Sequence, residues 1–489
     1  MANRRSFKSD TSFLEKISAG AIGSQQVFEN LRNQGHQPIE LERGSMSFKI
    51  WRNIKIKRIR VPDLLCVTCG HRVESRAKSN FEISMSHSVS DPERGWDYGL
   101  NDNDFVALVV CKQVGNKPID WLAEKLVQYI SVKELRLALR DKNAIYMSPK
   151  GVGEGFETRI IWPSAVASSA GFIKAVTKDY IQYHRQTDNR TITMRLQKKG
   201  LPMKPLVEVG DEVVPNQVCA AVIPVAKGFP CSPSINYTYY LDRLSSPSLS
   251  DRYAAAKALS VFKQPVISRK LLIKVKDPNE HIYVRLEAAA SLARYNDEQG
   301  WMFIEQCLAD EYLQNRLEAV IILAEIPADI SRLILSNVLK DNNQHPEIRA
   351  GAAWALGELR NKSALSDLID SFSAVNENIR IEAARSLAKL ASDYTPEIMR
   401  EFPMAAREKR PGIAWALSKS GKFKLKDLLE SLVDNDARHW VAYILGTQEQ
   451  QRYIHEIELL KARDAEVYFA ATVLWKIMTS WVYDLEEYG

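Results

Sequence analysis

The stretch RVPDLLCVTCGHRVESRAKS, residues 60–79, gathers two carboxylates, two thiols and several cations into one short segment. Asp63 and Glu74 fall on the two arms of a hairpin with a tight turn between them, so both can reach one divalent ion. Strand side chains repeat every second residue, which puts Glu74, Arg76 and Lys78 on a common face. Hydrolysis of a phosphodiester asks for such a set. Carboxylates hold a divalent cation that polarises the phosphate and lowers the pKa of an attacking water. A nearby cation orients that water or stabilises the charge that develops on the phosphate. The competing reading is a solvent-facing ladder of cross-strand ion pairs, a common outcome of alternating charge on antiparallel strands.

The turn itself carries Cys66 and Cys69 followed by Gly70-His71. This is the form of a zinc knuckle: two of four tetrahedral ligands, with a glycine that lets the backbone bend around Zn²⁺. The second pair is expected from Cys219 and Cys231, with Cys111 or His71 as substitutes. Zinc here would be structural, because it would pin the turn that sets Asp63 against Glu74. The alternative is a pair of half-buried thiols. Six cysteines, sparse and uneven, are no disulfide scaffold and fit a reducing, cytoplasmic compartment.

The elements that must position these residues read as follows. Residues 12–36 form a helix, with Phe13, Leu14, Ile17, Ile22, Val27, Phe28 and Leu31 as its apolar stripe and Gly35 at its end. Residues 37–44 are a short strand. Residues 53–67 alternate, with a slip of parity at Lys57-Arg58, and 71–79 are their antiparallel partner. Residues 91–100 read as a helix from an Asp cap, a proline at the first helical position and an early Glu. Residues 104–112 form a buried central strand. Ahead of the hairpin, KIWRNIKIKRIR (49–60) carries Lys49, Arg52, Lys55, Lys57, Arg58 and Arg60 without an acid. The first 80 residues hold an excess of +8 against +6 for the whole chain, so the basic character belongs to this region. A cationic stripe of this kind is what a nucleic-acid backbone selects, and lysines on a solvated strand edge are the plainer explanation.

The order helix, strand, strand, strand, helix, strand, with Pro62-Asp63 and the following Glu74-Ser75-Arg76, resembles the PD-(D/E)xK nuclease superfamily across roughly residues 12–115. The resemblance implies that the first domain of a multidomain α/β plus all-α chain is an αβββαβ nuclease-like fold. It also implies Mg²⁺ or Mn²⁺ as the catalytic ion, held by Asp63 and Glu74 with Glu42 or Glu40 as a third carboxylate. The catalytic set would be Asp63, Glu74, Arg76 and Lys78, acting on nucleic acid, with DNA ahead of RNA. The family's lysine falls two residues after the acid, where this chain has Arg76. Arginine keeps its proton and suits anion stabilisation better than proton transfer, and Lys78 on the same face could substitute by reaching back.

Residues 117–131 and 131–141 look helical, and the remainder of 116–249 reads as a β-rich insert followed by a Ser/Pro-rich linker. From residue 250 onward a self-similar element recurs, its arginines Arg252, Arg285, Arg316, Arg349 and Arg380 separated by 33, 31, 33 and 31 residues. Each copy sets apolar and small residues at helical spacing beside a second amphipathic run, and each helix pair can bury its apolar face only against its neighbours. An α-solenoid over 250–489 follows, resembling short HEAT-like repeats, with a concave face suited to a protein partner. Trp354, Trp415, Trp440 and Trp475 are expected to fill its core.

No run approaches the roughly 18 apolar residues of a membrane helix, so no membrane role is expected. The leading reading is a metal-dependent endonuclease joined to a HEAT-like recognition array, as in bacterial antiviral defence or DNA processing. Its rival is a non-catalytic module that binds nucleic acid and scaffolds other proteins.

Overall fold

The computed structural model describes residues 10–43, 59–88, 91–117, 119–147, 157–232, 235–448 and 457–487. Lys49, Arg52, Lys55, Lys57 and Arg58 lie outside the described residues; Arg60 is described and is exposed. The chain divides into two compact units, one reaching Val284 and the other beginning at Arg285.

The N-terminal unit begins with helix α1 (Asp10–Asn33). It continues through strands β1 (Pro38–Glu40), β2 (Leu64–Cys66) and β3 (Arg72–Lys78). Strand β4 (Ser84–Ser88) leaves for another sheet, after which β5 (Phe105–Gln113) and β6 (Trp121–Ser131) return to the first. The five-stranded sheet has the order β1-β2-β3-β5-β6; β2 runs antiparallel to both β1 and β3, β3 and β5 run parallel, and β6 returns antiparallel.

Alternation on these strands assigns the two faces. Val73 on β3 and Ala107, Val109 and Cys111 on β5 pack with Val27 and Leu31 of α1. Val106 and Leu108, on the opposite face of β5, join a second core with Ile83, Trp96, Ile130 and Trp162. The sheet is thus covered on both sides, which explains why β5 is a continuous apolar run rather than an alternating one. A β carbon added at Gly23 of α1 would lie 2.9 Å from Ala77 Cβ and 3.2 Å from Val109 Cγ1, so that glycine sets how closely the helix lies on β3 and β5.

Two expected helices are absent in this form. Asp91 caps Glu93 as its type predicts, yet the turn is a single 3-10 stretch, Pro92–Arg94, ended by Gly95. Residues 121–131 are strand, because β6 pairs along β5 from Phe105↔Ser131 to Gln113↔Trp121, and that ladder outweighs the helical spacing of its apolar residues. The helix expected after it is present as α2 (Val132–Arg140). The region that follows is β-rich, built of short sheets around Ile173, Ile181, Tyr183, Val213 and Cys219. Helices α3 (Tyr237–Arg243), α4 (Leu249–Ala258) and α5 (Pro265–Lys276) close the unit.

The C-terminal unit is built of helices such as Ile282–Arg294, Glu298–Leu308, Leu313–Ala324, Asp329–Lys340, Pro346–Leu359 and Glu377–Met404, with small residues such as Ala288, Ala289, Ala352 and Ala383 buried along them. Three of the repeated arginines share a task, while Arg285 lies over the Phe303 ring. Arg349 Nε donates to the Leu339 carbonyl at 2.9 Å, Arg380 Nη1 donates to the Ala374 and Val375 carbonyls at 2.7 and 2.8 Å, and Arg316 Nε donates to the Asp310 carbonyl. Each ties the second helix of a pair to carbonyls at or just after the end of the first, which would otherwise lack partners. Of the four tryptophans expected in the core, Trp475 is buried and donates to the Leu445 carbonyl at 2.9 Å. Trp354, Trp415 and Trp440 are half-buried, and Lys419 lies over the Trp415 ring. Among the described residues no helix is long and apolar enough to cross a membrane.

Candidate active site and metal centre

β3 presents Arg72, Glu74, Arg76 and Lys78 on the face turned away from α1, and each has a different environment. Arg72 is buried and fully engaged. Its guanidinium meets Asp104 at 2.6 Å and Asp251 at 3.1 Å, and donates to Ser250 Oγ and the Gly99 carbonyl. It is a structural anchor between β3 and α4. Glu74 accepts an ion pair from Arg76 at 2.9 Å, with the arginine well exposed.

Asp63 lies one residue ahead of β2 and is buried, and its Oδ2 accepts the Ser75 amide of β3 at 2.7 Å. This bond fixes the carboxyl beside Glu74, and the Leu41 amide donating to the Asp63 carbonyl at 2.7 Å brings the chain at Glu42 alongside. Burial first, then repulsion from Glu74 and from Glu42, holds the Asp63 carboxyl well above the usual carboxylate range. Glu74 and Glu42, both named from the sequence, therefore lie close enough to act on Asp63. Glu40 pairs with Leu64 in the β1–β2 ladder.

Lys78 is largely buried and donates to the Ser84 carbonyl, with Ser84 Oγ at 3.4 Å. Burial above all, with Arg76 and Arg159 nearby, brings its ammonium down to about 8. At neutral pH such a lysine can exchange its proton, which Arg76 cannot.

At the turn, His36, Cys66, Cys69 and Cys231 bring one imidazole nitrogen and three sulfurs within 4.8 Å of one another. Cys66 Sγ is 3.8 Å from Cys231 Sγ, and Cys69 Sγ is 3.6 Å from His36 Nδ1. Gly70 takes φ +76°, the left-handed turn that lets its amide donate to the Cys66 carbonyl at 2.8 Å. The Cys69 thiol hydrogen bond, against the opposing effect of burial and with help from His36, pulls Cys66 down to about 3 while Cys69 is raised. Cys66 is thus the thiol favoured as thiolate, while burial and the neighbouring thiol raise Cys231 as well.

This set differs from the one expected. Cys219 lies in the core of the β-rich region, its Sγ donating to the Gln217 carbonyl, and does not join. Cys111 packs under α1, and His71 Nδ1 donates to the Asn103 carbonyl. His36 takes the remaining place. It stands just past the end of α1, and the register Pro38↔Cys66 brings that segment beside the knuckle. A lone histidine after a helix-ending glycine carries no spacing signal, so only the strand pairing could have revealed it.

Comparison with known proteins bears on the helical part of the chain. Residues 333–402 match the family described as HEAT repeats. No curated protein matches the sequence. Among solved structures, the complex of CpcE and CpcF of phycocyanin lyase from Nostoc is 17% identical with a TM-score of 0.26, spanning 51% of this chain and all of that one. Human deoxyhypusine hydroxylase is 19% identical with a TM-score of 0.25, over 42% and 84% of the two chains. A designed armadillo repeat protein in complex with the peptide (KR)4 is 16% identical with a TM-score of 0.21, over 50% and 99%. The matched residues 333–402 lie within a C-terminal region built of successive helices, a HEAT-like repeat region.

Proposed function

We propose that the N-terminal unit hydrolyses phosphodiester bonds in nucleic acid, with DNA as the favoured substrate, and that the HEAT-like helices offer a surface for a protein partner. The observation that carries this reading is the buried Asp63 carboxyl, tied to the Ser75 amide of β3 and close enough to Glu74 and Glu42 to be repelled by both, with the largely buried Lys78 further along the strand that carries Glu74. Three carboxylates are a hard, anionic donor set, which suits Mg²⁺ or Mn²⁺ better than zinc. Such an ion supplies charge neutralisation on the phosphate and a water of lowered pKa. Asp63 and Glu74 would hold it, with Glu42 as the third carboxylate. Lys78 would hold or release a proton at Nζ, and Arg76 would meet negative charge developing on the phosphate. The helix α1, three antiparallel strands and a fourth strand parallel to the third support the likeness to PD-(D/E)xK enzymes. The element between β3 and β5 departs from that pattern, being strand and a 3-10 turn in place of a helix.

One observation favours a second reading, a binding module without catalysis: Arg76 occupies Glu74 at 2.9 Å, on an oxygen an ion would need. Plasmid and single-stranded substrates incubated with Mg²⁺ or Mn²⁺ separate the two. Cleavage by the wild type that is lost in both Asp63→Ala and Glu74→Ala, with binding kept, supports hydrolysis. Binding without cleavage under either ion refutes it in favour of the second reading.

A further inference from the structure

The geometry points to a tetrahedral zinc site made by His36 Nδ1 and the thiolates of Cys66, Cys69 and Cys231, stapling three separate segments of the N-terminal unit. Two of the separations match the edges of a zinc tetrahedron, and all four ligand atoms lie within 4.8 Å of one another. With Zn–S bonds of about 2.3 Å, two sulfurs of a regular tetrahedron stand about 3.8 Å apart, and a sulfur and a nitrogen about 3.6 Å apart. Cys66 to Cys231 is 3.8 Å and Cys69 to His36 is 3.6 Å. A disulfide needs a separation of about 2 Å and would leave the third thiol and the imidazole without a task.

The surroundings prepare each ligand. His36 Nε2 donates to the Phe229 carbonyl at 3.0 Å, which places the ring's proton on that nitrogen and leaves the Nδ1 lone pair facing the sulfurs. The Gln37 amide points at Cys66 Sγ from 3.4 Å, as backbone amides do toward knuckle thiolates. Phe229 stacks on Phe105 at 4.1 Å and lies 4.6 Å from the His36 ring, walling one side of the site with apolar surface. Three soft sulfurs and an imidazole select zinc over the hard ions suited to the carboxylates.

The three segments are the stretch just past α1, the β2–β3 turn, and the irregular run at 229–231. They are far apart in sequence, so the ion would close two long loops and hold the turn from which Asp63 and Glu74 diverge. This role is independent of whether those carboxylates catalyse anything.

The test uses the full chain purified under reducing conditions without added metal. Elemental analysis is expected to find one zinc per chain, lost in His36→Ala and Cys231→Ser and kept in Cys219→Ser. Wild-type protein stripped by chelator is expected to take up Co²⁺ with thiolate-to-cobalt charge-transfer absorption and the intense visible bands of tetrahedral cobalt, a reading that needs no variant to fold. Absence of both zinc and the cobalt bands overturns the site. Loss of metal from Cys219→Ser as complete as from Cys231→Ser overturns the ligand set.

Discussion

Raising the pH through 8 should discharge Lys78 while the ordinary lysines of the chain keep their protons. Its ammonium sits about 2.5 units below the usual 10.5, mainly because it is buried and next because Arg76 and Arg159 face it. At pH 8 half of the Lys78 side chains are neutral, against about 0.3% for a lysine titrating at 10.5, a difference of about 150-fold. The sign on stability follows. The folded value lies below the unfolded one, so between pH 8 and 10.5 the unfolded chain binds more protons and folding gains stability as pH rises. The full penalty for carrying the charge, on the order of 3 kcal/mol, is present below pH 8 and is relieved across that window. The assay is carbon NMR of protein labelled at the lysine ε position, without added divalent metal, with the signal assigned by its absence in Lys78→Arg. Arg76→Gln removes a like charge and should move the midpoint upward, while burial keeps it below 10.5. A wild-type midpoint near 10.5, or one that Arg76→Gln leaves unchanged, would refute the reasoning.

Three further outcomes follow from packing and pairing. Gly23→Val should force α1 off the sheet, since even one added carbon meets Ala77 Cβ at 2.9 Å; overpacking of this kind costs roughly 1–3 kcal/mol, and an unchanged thermal midpoint would contradict the close approach. Arg72→Met leaves the buried Asp104 without its cation, while Asp251 keeps Arg243 at 2.8 Å, and should cost about 3–5 kcal/mol in denaturant unfolding, whereas a loss below about 1 kcal/mol would show that the cluster is solvated. Arg380→Ala strips partners from the Ala374 and Val375 carbonyls and should destabilise the helical repeats by about 1.5–3 kcal/mol; amide exchange of helix Glu377–Met404 no faster than in the wild type would count against that role.

What could be read from the sequence depended on how local the cause was. α1 declared itself through a stripe at helical spacing and a terminal glycine, and the repeats through arginines at a fixed period. The purpose of those arginines was hidden, because donation to carbonyls at the end of the preceding helix depends on how the two helices cross. β6 was misread for a related reason: its apolar spacing suits a helix, and only pairing along β5 makes it a strand. At 91–100 the cap was right and the length wrong, since Gly95 ends the turn after Pro92–Arg94. The carboxylates and the CxxC were legible because they share one hairpin. His36 was not, because its place in the cluster is a property of strand register.

That register links the two ends of the hairpin. Cys66 is the last residue of β2 and Asp63 lies just ahead of the first, so a span of about 10 Å of extended chain separates a thiol of the cluster from the buried carboxyl. β1 runs beside it in the pairs Pro38↔Cys66, Ile39↔Leu65 and Glu40↔Leu64, carrying the chain from His36 at one end toward Glu42 at the other. A slip of one residue on either strand would turn every side chain to the opposite face, parting His36 from the thiols and Glu42 from Asp63 together. The thiol cluster and the carboxylates are therefore two readouts of one strand alignment. Whatever fixes the first restricts the second, and β2 needs only three paired residues because its alignment is constrained at both ends.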